Sequence, residues 1–587
     1  MKEQWMVINK KADFKGIGQK FGVDQVIARV IRNREVITEE EIRLFLEGGL
    51  KDLPDLRLLK DGDLLVDILS GKIKEKQRIR IIGDYDIDGV MSSYVLFRGL
   101  IRAGADVDVA IPNRITDGYG LNKNLIDEAR AKGVDTILTC DNGIAAREEI
   151  VYAKELGMTV LLTDHHAIPF REEDGKVIEI LPPADAVVNP HQSACAYPYK
   201  ELCGAAVAWL VVELLYEKMG IDQNEAEDLL EFVAFATVGD VVALTGVNRI
   251  LVKEGLKRIH HTHNIGMNAL IEQCKLSSRQ VDCYHFGFVL GPCINAAGRL
   301  ETAQLALSLF QEEKEREAVQ TANRLVELNE ERKKLTLEGV EKAKQLVEEG
   351  DYEKDPVLVL YLPEVDESIA GIIAGRIREY YYRPTFILTR GKEGVKGSGR
   401  SVEEYSMYEQ MCKCSELFTR FGGHPMAAGL SFPEENVEKF REKINACCPF
   451  SVEQLIPKIR IDVPMPVDYV TPDLVRQLSV LAPFGKDNPK PVFADKNLRV
   501  RRLWVVGKNQ NVMRLSLVSQ NQRPVTGVYF GDIEAFFDYV RQQFGAKALD
   551  SARHGRENPI VLSIVYFPKL DDYRDTEDLE FVISYFR

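Results

Sequence analysis

The chain has 587 residues, 45% apolar and 28% charged, which excludes a disordered or fibrous protein and allows roughly three to four domains. Its 76 Lys and Arg against 90 Asp and Glu leave a net charge of −14, so no whole-molecule basic field attracts a polyanion, and a nucleic acid must be held locally or through metal ions. Ten cysteines without a C-x-x-C pair, no secretory apolar core at the start and no apolar run near ~18 residues give the expectation of a cytoplasmic protein with no membrane contact.

Beyond an N-terminal segment (1–48), short β-rich runs alternate with helical spacing. RIRII (78–82), VDVAI (107–111), TILT (136–139), TVLLT (159–163) and AVV (186–188) are strand candidates. The stretches between the first four have apolar residues at helical spacing and a Gly at or just past their ends. Strand and helix in alternation predict a doubly wound parallel sheet in a domain spanning 49–305, with residues 201–275 mostly helical. Residues 306–350 are charged, nearly free of breakers and periodic in Leu, Val and Ala, which predicts a long connecting helix. A second α/β lobe (351–450) begins at PVLVLYL (356–362). From 451 to 587 the runs LRVRRLWVVG, VMRLSLV, PVTGVYF and PIVLSIVYF suit a small antiparallel barrel. There Lys496, Arg499, Arg501, Arg502, Lys508 and Arg514, with Trp504 among them, make a face able to track phosphates and stack a base; a charged edge strand is the alternative.

The chemistry follows the strands. The first is followed by Gly83-Asp84-Tyr85-Asp86-Ile87-Asp88-Gly89, the second by Asn113-Arg114, the third by Asp141-Asn142-Gly143 and the fourth by Asp164-His165-His166. Ligands of open parallel sheets bind at the carboxyl ends of the strands, so these side chains are expected to converge. Carboxylates at about 4 Å repel by roughly 4 kcal/mol per pair at an effective dielectric near 20, so convergence implies cations. Carboxylates with an imidazole and no thiolate suit Mn²⁺ or Mg²⁺, and zinc also fits. Two ions would balance Asp86, Asp88, Asp141 and Asp240 with His165 as a neutral ligand, a centre suited to in-line displacement at phosphorus. Arg114, Arg299, Ser398 and Arg400 are candidates for phosphate oxygens, as is His424 in its Gly-Gly turn. His260-His261-Thr262-His263 reads as a solvated loop.

These residues carry a resemblance. Gly83 to Gly89, Asp141-Asn142-Gly143, Asp164-His165-His166 and Gly239-Asp240 resemble the four motifs of the DHH phosphoesterase superfamily, and Gly422-Gly423-His424 resembles the motif of its associated domain. Pro112-Asn113-Arg114, Asp117-Gly118-Tyr119-Gly120, Asn295-Ala296-Ala297-Gly298-Arg299 and Pro483-Phe484-Gly485 with Asn488-Pro489 are similar to the RecJ family of bacterial single-strand-specific DNA exonucleases.

The resemblance implies 5′ to 3′ digestion of single-stranded DNA to mononucleotides in repair and recombination. It implies metal ligands Asp86, Asp88, Asp141, His165 and Asp240, and catalytic roles for Asp84, His166, Arg299 and His424. Strand contacts would come from Arg114, Asn295, Arg299, Ser398, Arg400, His424, Arg501 and Arg502. A monomer working with a single-strand-binding protein and a RecQ-like helicase is implied in the same way. Asp366, Cys293 and Asp487 depart from the family pattern. A phosphodiesterase for short RNA or cyclic dinucleotides predicts a chain without the barrel, and a non-catalytic strand binder predicts eroded acidic motifs.

Overall fold

The computed structural model describes residues 3–114, 117–392, 394–507, 509–571 and 578–587; Lys508 of the basic stretch lies outside them. The chain divides into two compact units, Gly49–Pro457 and Lys2–Gly48 with Lys458–Arg587.

In the first unit the strands β1 (Arg78–Ile82), β2 (Asp106–Ala110), β3 (Thr136–Thr139), β4 (Thr159–Thr163) and β5 (Ala186–Val188) form a parallel sheet in the order β2-β1-β3-β4-β5. Because side chains alternate along a strand, Ile81, Leu138 and Leu161 enter one apolar core, while Ile82, Ile137, Val160 and Leu162 enter another. Both faces are therefore covered, as the near-continuous apolar runs require. The order reverses at β1, which puts a crevice beside the ends of β1 and β3. Helix α1 (Ile87–Arg102) leaves β1, and the predominantly apolar helices α2 (Gly204–Met219) and α3 (Leu230–Gly239) pack against it.

Helix α4 (Gly291–Leu300) precedes the 35-residue helix α5 (Glu315–Glu349), about 52 Å long. Ala318, Ala322, Leu325 and Leu328 of α5 belong to the core of the parallel-sheet domain, whereas Val340 and Ala343 belong to that of the second lobe. One helix is thus shared by two cores. The second lobe comprises β6 (Leu358–Tyr361), α6 (Glu367–Tyr381), β7 (Thr385–Gly391), β8 (Gly394–Arg400), β9 (Arg420–His424) and β10 (Ala427–Phe432), in the order β9-β10-β8-β7-β6.

The second unit is a barrel of β11 (Phe493–Val506), β12 (Val512–Val518), β13 (Pro524–Tyr529), β14 (Val561–Leu570) and β15 (Leu579–Phe586), closed because β11 pairs with both β12 and β14. Every pairing in this ring is antiparallel except β13 with β15. The N-terminal segment shares this core: Val26, Ile27, Ile31 and Phe45 join Val463, Leu515 and Ile564, and Arg34 grips the buried Asp462 at 2.7 and 3.1 Å. Among the described residues no helix is long and apolar enough to cross a membrane.

Candidate metal centre

The loop after β1 is built to aim carboxylates. Asp86 caps α1, its Oδ1 accepting the amides of Asp88 at 3.0 Å and Gly89 at 3.1 Å, a common use of Asp at a helix start. Asp88, in the first turn, is buried and accepts the amides of Gly204 at 2.5 Å and Ala205 at 2.8 Å, the start of α2. One carboxylate therefore sits at two positive helix ends. A Cβ on Gly204 would lie 2.7 Å from Asp141 Cβ and 3.0 Å from Asp88 Oδ2, so the approach of α2 to the cluster requires Gly.

Asp141, at the end of β3, takes a left-handed φ of 58°, which Asp tolerates better than most residues. Its Oδ1 lies 3.0 Å from His165 Nε2, and the same nitrogen lies 3.5 Å from Asp88 and 3.9 Å from Asp240. Asp240 ends α3, followed by Val241 at φ 60°; a β-branched residue there is strained, a cost concentrated at functional sites. Asp164 organises the histidines, accepting the His165 amide at 2.7 Å, His166 Nδ1 at 2.8 Å and the Ile144 amide at 2.9 Å. Three donor sets result, each with its atoms within 4.8 Å of one another: Asp84, Asp86 and Asp141; Asp88, His165 and Asp240; and Asp141, His165 and His166.

The electrostatics match a cation site. Burial, and then the charge of Asp86, pushes Asp84 up to about 8. Burial and then Asp88 raise Asp86, and the same two causes raise Asp141 further. Among the described residues no Lys or Arg pairs with Asp84, Asp86, Asp88 or Asp141. Burial alone would raise Asp164, but the hydrogen bond and charge of His166 hold it down; burial would lower His166, and Asp164 raises it instead. Hard carboxylate oxygens with imidazole fit Mn²⁺ or Mg²⁺.

Beside the carboxylates runs a cleft of about 270 Å³ lined by Tyr85, Arg114, Tyr119, Glu367, Lys396 and Ser398. Arg114 lies over the Tyr85 ring at 4.9 Å. Arg299 donates to the Ser368 carbonyl; burial, and then Arg114, Arg332 and Arg400, lower its pKa to about 10. Ser398 and Arg400 stand two apart on β8, and a Cβ on Gly371 would meet Arg400 Nη2 at 2.8 Å and Ser398 Oγ at 3.3 Å, so Gly371 keeps their approach open.

Asn295 turns to the loop, its Oδ1 accepting the Ile87 amide at 2.9 Å. His424 is exposed at the β9–β10 turn. Arg501 and Arg502 are exposed on β11, with Arg502 5.5 Å from the Trp504 ring, but Arg514 is paired with the buried Glu580 and leaves the basic face. Asp366 caps α6 by accepting the Ser368 amide at 2.8 Å, and Asp487 takes φ 60° in a turn where the family pattern has Gly.

Two contributors escape sequence reading. Tyr119 donates to the Asp141 carbonyl at 3.0 Å and stands 3.3 Å from His166; its place in Asp117-Gly118-Tyr119-Gly120 was the signal. The Gly204 and Ala205 amides carry none, because backbone donors have no residue signature.

Comparison with known proteins agrees with this geometry. The DHH family N-terminal domain model matches residues 78–237, the DHHA1 domain 354–449 and the RecJ OB domain 461–585. The chain is 30% identical over 590 residues to the single-stranded-DNA-specific exonuclease RecJ of Haemophilus influenzae, covering 97% of each. It is 31% identical to that of Bacillus subtilis over 89% of this chain, of which it spans 65% of the length. Thermus thermophilus RecJ in complex with Mn²⁺ superimposes with a TM-score of 0.80 at 26% identity, covering all of this chain and 79% of that one. An exonuclease RecJ bound to manganese gives 0.57 at 32% identity over 68% of this chain and 97% of its own.

Proposed function

The chain belongs to the RecJ family of single-stranded-DNA-specific exonucleases, and from that premise we propose that it removes mononucleotides from DNA single strands in the 5′ to 3′ direction, using two divalent ions, Mn²⁺ or Mg²⁺. The observation that carries this reading is the set of interlocking donor groups sharing Asp141 and His165 at the strand ends. Asp86, Asp88, Asp141, His165 and Asp240 would hold the ions, with Asp84 beside them. Bound there, the ions supply Lewis-acid activation of water and neutralise charge at phosphorus.

The chain's own groups do the positioning. Asp164 fixes the His166 ring and Tyr119 supports it, so His166 is oriented to donate to a developing oxyanion. Arg114, Arg299, Arg400 and Ser398 offer fork donors and a hydroxyl to phosphate oxygens. His424, Arg501 and Arg502 would contact phosphates further along the strand. The barrel weighs against a phosphodiesterase for dinucleotides, and the intact acidic set weighs against a non-catalytic binder. A DNA substrate agrees with a cytoplasmic setting, where a single-strand-binding protein and a RecQ-like helicase would present such strands. The test is 5′- and 3′-labelled single-stranded and duplex DNA incubated with and without Mn²⁺. The 5′ label should appear first as mononucleotide, from the single strand only; equal digestion of duplex, or full activity in Asp141→Ala, overturns the reading.

A further inference from the structure

The helix carrying Asn295 and Arg299 starts earlier than α4: Cys283–His285 continues through a π-helical stretch, Phe286–Leu290, into Gly291–Leu300. π-Helical turns inside longer helices are frequent at functional sites. Phe286 is fully buried and its ring meets that of Phe235 on α3 at 4.9 Å, which fixes this stretch to the helix ending in Asp240. On the opposite side, Tyr284 and Phe288 are 62% and 71% exposed, and their rings stack on each other at 5.2 Å and 29°. Two large rings held parallel and left to solvent are a costly surface, and they are not isolated. Tyr284 and Phe288 are exposed and Pro292, Asn295 and Arg299 half-buried, so the accessible side of this helix leads from the exposed pair to Asn295, on the metal-site loop, and Arg299. Phe288 stands seven residues, about two helical turns, before Asn295.

Resting on the family reading above, we infer that Tyr284 and Phe288 form a base-stacking platform for the single strand beside the metal centre. Aromatic faces accept any base, in keeping with sequence-independent digestion, and a base paired in a duplex cannot present its face to them. The platform thus supplies a reason for single-strand preference.

The test uses the full-length chain with Mn²⁺ and a 20-residue oligo(dT), against Tyr284→Ala with Phe288→Ala, and the conservative Phe288→Trp. The double variant should raise KM by about 10–100-fold with kcat changed little, Phe288→Trp should restore it, and a 2-aminopurine placed near the 5′ end should lose its fluorescence quenching only in the double variant. Unchanged KM and quenching with an active wild type overturns the platform while leaving the nuclease reading intact. Unchanged DNA binding with lost self-association in sedimentation overturns it in favour of a protein contact. A wild type without nuclease activity overturns both.

Discussion

The carboxylates at the strand ends and the guanidiniums beside the cleft are two gatherings of like charge in one unit: Asp84, Asp86 and Asp141 are displaced upward from the ordinary pKa and Arg299 and Arg400 downward. Asp84 is pushed up to about 8 and Arg299 down to about 10. In both, burial is the first cause and a neighbour of the same sign the second. A fold keeps such clusters only where a partner of opposite charge completes them. The acidic group calls for cations and the basic group for an anion, and a phosphodiester bridging the two satisfies both. On the proposed function, a chain of net charge −14 would attract DNA at the site and not over the whole surface.

Neutralising one charge on each side should separate the two clusters most strongly. Asp141→Asn, in the pair with His165, should lower kcat by on the order of 10³-fold or more, since it touches two donor sets, yet raise the stability of the metal-free chain in denaturant titrations. A loss of both would make Asp141 structural. Arg299→Met and Arg400→Met should each cost about 10²-fold in kcat/KM while leaving unfolding free energy unchanged or higher by about 1 kcal/mol, because an uncompensated half-buried charge is removed.

A third expectation concerns pH. Asp84 binds its proton more tightly folded than unfolded, so below about pH 4 it has no effect, and the metal-free chain loses stability as pH rises from there through about 8. Added Mn²⁺ should remove this loss and release about one proton near pH 7, read by titration in weakly buffered solution. A metal-free melting midpoint rising over that range would contradict the assignment. The smallest effect belongs to the barrel: Arg501→Ala with Arg502→Ala should weaken oligonucleotide binding several-fold and flatten its salt dependence by about 0.7 per lost phosphate contact.

The sequence was most legible where period and chemistry coincide. β1, β3, β4 and β5 begin and end at the expected residues, because short β-rich runs buried on both faces stand out between polar and helix-forming stretches. The barrel was less legible. β11 starts at Phe493, through the polar Asp495, Lys496 and Asn497, and β15 follows a charged stretch and joins β13 in parallel, so neither local alternation nor hairpin logic marks it. In the site, ionisable residues at strand ends were readable, whereas the α2 amides on Asp88 and the support of Tyr119 depend on contacts across 116 and 22 positions. Asn295, whose carbonyl oxygen accepts the Ile87 amide, ties its helix to the metal-site loop across 208 positions, a contact no local pattern marks.

The most direct test is anomalous scattering at the manganese edge from crystals soaked in Mn²⁺. Two peaks are expected, one within reach of Asp84, Asp86 and Asp141 and one within reach of Asp88, His165 and Asp240. Crystals that diffract well and carry no manganese among those side chains would contradict this expectation.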